Sequence, residues 1–100
     1  MEMRPKDVVA LGERYGVNMG TTKGEIRGWL EEGKRLGATH CLVVCDTFDY
    51  EDYPVYVLQG ENVRSKYDEL CEAAMSRVME VYDLRMDIGA QLDELRAFHF

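Results

Sequence analysis

Between Ala38 and Phe48 the chain alternates two sets of side chains, and both sets are largely apolar. In an extended segment, one face carries His40, Leu42, Val44, Asp46 and Phe48. The other carries Cys41, Val43, Cys45 and Thr47. A strand with one wet face alternates apolar and polar residues, whereas a strand covered on both faces is apolar on both. The segment therefore reads as the central strand of a sheet, with cover above and below.

Its neighbours follow from the residues around it. Tyr53 to Gln59 reads as a second strand, ending before Gly60 and placed at an edge by Pro54, which has no N–H to give a ladder. The connection around Asp49–Asp52 makes the two strands a hairpin. Glu61 to Met75 places Val63, Tyr67, Leu70, Cys71 and Ala74 on one helical face. The stretch Arg77-Val78-Met79-Glu80-Val81-Tyr82 is ambiguous. Val78, Val81 and Tyr82 continue a helical stripe, yet the residues are strand formers, and one helix from 61 to 97 would be unusually long. It is read as a third strand over 77–84. A crossover helix between strands two and three then sets the third strand beside the first, antiparallel.

Before the sheet, Thr22-Lys23-Gly24-Glu25 is a capping box, in which Thr receives an amide of the first turn while Glu reaches back. Ile26, Trp29, Leu30, Gly33 and Leu36 follow at helical spacing. Lys34 and Arg35 suit the negative end of the dipole, and Gly37 suits a left-handed cap. Pro5 to Tyr15 reads as a further short helix, and a last helix starts at Met86 or Asp87 with Ile88, Leu92 and Leu95. The expected fold is α+β: a small antiparallel three-stranded sheet in order 2-1-3, packed against several helices. Most helices lie on one face, and the C-terminal helix covers part of the other. Residues 1–100 form a single domain, of which 1–18 read as a dispensable N-terminal extension. The glycines spaced four apart from Gly12 to Gly28 read as turns.

The charge is uneven. The formal net charge is −7, made of +1 over residues 1–45, −4 over 46–60 and −4 over 61–100. Such a chain is a poor binder of nucleic acid phosphates and of anionic membranes, which both need clustered Lys and Arg. The longest apolar run, Cys41 to Cys45, is far below the roughly 20 residues of a membrane span. The N-terminus lacks the apolar stretch of a signal peptide. Three cysteines, an odd number, fit a reducing compartment, and the expected location is the cytoplasm.

The cysteines carry no chemistry on this reading. Cys41 and Cys45 would stand about 13 Å apart along a strand, too far for a disulfide or a shared zinc. His40, on the opposite face from Cys45, cannot serve it as a base. Carboxylates beside Cys45 suppress its thiolate. Cys71, Trp29, Met75, Met79 and Met86 are assigned to the core, and His99 to solvent. Phosphate-loop and dinucleotide motifs are missing, and no cofactor is expected.

The acidic, tyrosine-rich hairpin is the candidate site. Asp46, Asp49, Glu51 and Asp52 would steer a basic protein partner, and Tyr50, Tyr53 and Tyr56 would supply amphipathic contact area. The chain is thus read as a small acidic, non-enzymatic protein-binding module. Its size and charge are those of small inhibitor and immunity proteins, a likeness of composition that rests on no shared motif. Two alternatives are kept. One is a small divalent-metal-dependent enzyme built on Asp46, Asp49 and Asp52, although the glycine of an EF-hand loop is missing. The other is a self-associating structural protein, a homodimer through Phe98 and Phe100.

Overall fold

The computed structural model describes residues 21–100. The helix expected over 5–15 and the extension 1–18 lie outside the described residues. The elements are α1 (Lys23–Leu36), β1 (His40–Asp46), β2 (Glu51–Val57), α2 (Val63–Glu72), β3 (Ser76–Asp83) and α3 (Ile88–Leu92). The sheet is three-stranded and antiparallel in order β2-β1-β3, an α+β arrangement.

Both ends of α1 are built as their residues dictate. Thr22 Oγ1 accepts the amide of Glu25 at 3.1 Å, and the Glu25 carboxylate receives the Thr22 amide at 3.4 Å. Gly37, at φ 81°, takes the left-handed turn that ends the helix, and its amide returns to the last-turn carbonyls. Gly24 and Gly28 lie inside this helix, not in turns.

The two faces of β1 seed two cores. Cys41 and Val43 pack with Ile26, Leu30, Tyr82, Leu84, Ile88 and Leu92, beneath α1 and α3. Leu42 and Val44 pack with Val57 and Val81, against Val63, Tyr67 and Leu70 of α2. The expected distribution of helices is therefore corrected: among the described residues α2 alone covers the second face, and the C-terminal helix joins α1. Gln91 explains the choice. Its buried side chain accepts the Asp83 amide at 2.8 Å and donates to the Asp83 carbonyl at 2.8 Å, which ties α3 to the end of β3. The same tie belongs to a helix of five residues, far shorter than the span to Leu95 that the apolar spacing implied.

A β-bulge resolves the ambiguity of 77–84. Val43 pairs with Glu80, but Val44 pairs with Val78, so Met79 is the extra residue. Past the bulge the faces exchange, and Val78 and Val81, three apart, share the α2 face. Helical spacing in that stretch is the imprint of the bulge.

Beyond α3 the chain returns along the outer edge of β3. The Val81 amide donates to the Ala97 carbonyl at 2.8 Å, and the His99 amide donates to Val81 at 3.0 Å. The Phe100 ring meets the Tyr67 ring edge-on, centroids 5.1 Å apart. Within the chain, then, Phe100 docks on α2. Met75 and Met86 are exposed rather than in the core, Met79 packs on the core, and Cys71 is exposed. His99 is paired, its Nε2 2.6 Å from Glu94 Oε2.

Candidate partner-binding surface

The hairpin between β1 and β2 is tighter than its acidic run implied. Asp46 pairs with Glu51 and Cys45 with Asp52, so the last two acids belong to β2 and only residues 47–50 turn. The turn is built by its own acids. The Asp46 carboxylate accepts the Phe48 amide at 2.9 Å, and Asp49 Oδ1 accepts the Glu51 amide at 3.3 Å. The Tyr50 amide closes the loop on the Asp46 carbonyl at 2.6 Å. Aspartate does this readily, since its short side chain reaches an amide two residues on.

Closing so short a loop forces Tyr50 to φ 59°, in the left-handed region. Beside it, the turn after α2 forces Met75 to φ 62°. For a residue with a Cβ this conformation costs roughly 1–2 kcal/mol. The two strained turns are joined, because the Thr47 amide donates to the Met75 carbonyl at 3.0 Å. Their side chains point to solvent: Phe48 is 75% exposed, Tyr50 77% and Met75 58%. One end of the sheet thus carries two aromatic rings and a thioether in water, beside four carboxylates.

The three hairpin tyrosines do not form one surface. Tyr53 packs on the Leu42–Val44 core, and Tyr56 on the Cys41–Val43 core, so they lie on opposite faces of β2. The Tyr56 hydroxyl donates to the Trp29 carbonyl at 2.8 Å, and burial pushes its ionisation well above the ordinary range. Tyr50 alone stays with the carboxylates at the tip. Phe48 and Met75 belong to the tip as well. Alternation along the chain continues the first strand to Phe48, an apolar side chain puts Met75 in the core, and the composition of neither segment signals the exposure that both have.

Among the described residues, no group of three or more His, Cys, Asp or Glu side chains is placed to hold a metal ion. Asp46 and Asp49 are turned to turn amides, and Asp52 lies against Cys45. Burial, with Asp52 next in effect, pushes the Cys45 thiol up to about 11, and burial pushes Cys41 up to about 12. Neither is a nucleophile at neutral pH. No described helix is long and apolar enough to cross a membrane. Compared with protein-family models, curated proteins and solved structures, the chain has no match.

Proposed function

We propose that the chain is a non-enzymatic protein-binding module whose contact surface is the hairpin tip around Phe48 and Tyr50, and whose partner is a basic protein surface. One observation carries this reading: Phe48, Tyr50 and Met75 are exposed together at the end of the sheet, on two turns held in strained conformations. Strain of this kind persists where the surrounding structure imposes it, and it clusters at functional sites. Exposed aromatics at a rigid turn give contact area at little entropic cost.

The charge adds the character of the partner. Asp46, Asp49, Glu51 and Asp52 surround the tip, and their field speeds the approach of a basic surface while leaving most of the affinity to the aromatic contacts. An inhibitor- or immunity-like role would follow if that basic surface were the working site of the partner. The experiment is site-directed photocrosslinking in the native cell. A benzophenone amino acid at position 48 should give discrete protein adducts, and the same probe at Leu36, exposed at the end of α1, should not. Identical adducts from both positions, or none from either, would overturn the reading.

A further inference from the structure

A concave site lies on the α1 side of the sheet, where the start of α1, the middle of the sheet and the chain after α3 meet. It is a cavity of about 260 Å³. Pockets for drug-sized ligands begin at roughly 300 Å³, so this one suits a smaller molecule. Ile26 and Val43 line it and are otherwise buried in the core beneath α1. Leu95 lines it too, and is 93% exposed.

The bulge in β3 furnishes the cavity. Glu80 faces the same side of the sheet as its ladder partner Val43, and the extra residue Met79 packs on that side as well. Two consecutive side chains, one apolar and one acidic, therefore line one cavity. Strict alternation would have sent them to opposite faces. Re-aiming a side chain in this way is what bulges do beside binding sites.

Glu80 is 6% exposed. The Tyr82 hydroxyl donates to its Oε1 at 2.8 Å, and the Ala97 amide donates to its Oε2 at 3.3 Å. A carboxylate has about four acceptor positions, so two hydrogen bonds leave room for a donor from the cavity. Lys23 brings a positive charge without filling that room. Its Nζ stands 3.6 Å from Glu80 Oε2, beyond hydrogen-bond length, and donates to the Glu94 carbonyl at 3.2 Å. Lys23 is the first residue of α1, where the helix dipole disfavours a cation, and its side chain is 49% exposed. An alkylammonium thus already lies against a buried carboxylate, but loosely, with half of its surface in water.

We propose that this cavity binds a small aliphatic primary amine. The ligand ammonium donates to Glu80, and its hydrocarbon chain lies on Val43, Met79 and Leu95. Lys23, which stands in for the ligand in the free protein, swings into water. Asp52 and Arg96 also line the cavity, with opposite signs, so they leave the balance of charge to Glu80 and Lys23. Once Lys23 has moved out, the Glu80 carboxylate has to be met by a cation, which selects an amine over an acid. Phe48 and Tyr50 take no part, so the site is independent of the contact surface at the hairpin tip.

Titration of the full chain with butylammonium at neutral pH, followed by methyl chemical shifts, tests the proposal. Methyls of Ile26, Val43, Met79 and Leu95 should shift saturably in the millimolar range. Butanol, which has no charge, and tetramethylammonium, which has no N–H, should each bind about tenfold more weakly, the worth of a charge-assisted hydrogen bond. Lys23→Met should bind butylammonium about tenfold more tightly, because the internal competitor is gone. A lysine that only stabilised the fold would give no such gain. Glu80→Gln should abolish the shifts. Should that variant fail to fold, Lys23→Met decides, since it keeps the apolar stem and removes a cation from a helix start. No saturable shift in the unaltered chain, equal binding of all the probes, or Lys23→Met binding no tighter than the unaltered chain would each overturn the site.

Discussion

The Tyr56 hydroxyl donates to the main-chain carbonyl of Trp29, 2.8 Å away, and this bond ties edge strand β2 to the helix lying across it. The ring can come so close because Gly33, one turn along α1, has no side chain. A Cβ built on Gly33 would stand 2.9 Å from Tyr56 Cε1 and 2.7 Å from Leu84 Cδ1. Leu84 could yield by a change of rotamer. The Tyr56 ring, fixed by its hydroxyl, could not. Gly33→Ala should therefore destabilise by about 1–3 kcal/mol, as overpacking does, despite the better helix propensity of Ala. Gly28→Ala, with nothing within 4 Å of the new methyl, should stabilise by about 1 kcal/mol. Urea denaturation of the pair gives both signs. Equal effects would show that Gly33 is not a close contact.

Tyr56→Phe keeps the ring and removes the bond. It should cost about 0.5–1.5 kcal/mol in the same denaturation, the net worth of a hydrogen bond in a partly buried site. Crosslinking from position 48 should be unchanged, because Tyr56 is committed to α1 and not to the tip.

At the tip, stability and binding should separate. Glycine meets no steric penalty at positive φ. Tyr50→Gly and Met75→Gly should each stabilise the fold by roughly 1 kcal/mol, while Tyr50→Gly should reduce the yield of crosslinked partner. A Tyr50→Gly protein that is more stable and captures as before would place the contact surface elsewhere.

The contrast between the two ends of the hairpin shows what the residues disclosed on their own. The capping box at Thr22, the Gly37 stop, the two apolar faces of β1 and the order 2-1-3 all follow from local rules that tertiary context did not disturb. Even the opposite faces of Tyr53 and Tyr56 follow from their odd separation along a strand. Other features depend on partners distant in sequence. The bulge at Met79 exists only against β1, the short α3 only through the grip of Gln91 on Asp83, and the exposure of Met75 only because the α2–β3 turn abuts the hairpin. The surroundings of His40 bring Thr39, Val57 and Asp83 together, drawn from three strands or their ends.

The three free thiols give a last prediction, and its sign depends on charge. Cys71 is exposed on α2, Cys45 is half-buried and Cys41 is buried. Only a thiolate alkylates. With Cys45 pushed up to about 11, the thiolate fraction at about pH 8 is of the order of one in a thousand. Iodoacetamide at that pH should label Cys71 first and Cys45 slowly. Cys41 should react only on unfolding, since burial has raised its thiol to about 12 and closed it to reagent. Raising the pH toward 10 should accelerate Cys45 about tenfold per unit, because each unit multiplies a small thiolate fraction by ten. Asp52 stands opposite Cys45 in the ladder, and its negative charge disfavours the thiolate. Asp52→Asn should therefore speed Cys45 labelling at fixed pH and leave Cys71 alone. Mass spectrometry of timed, quenched samples reads all three sites at once. A Cys45 rate indifferent to Asp52→Asn would mean that burial alone controls the thiol, and that the Asp52 carboxylate is turned away to the solvent side of the hairpin.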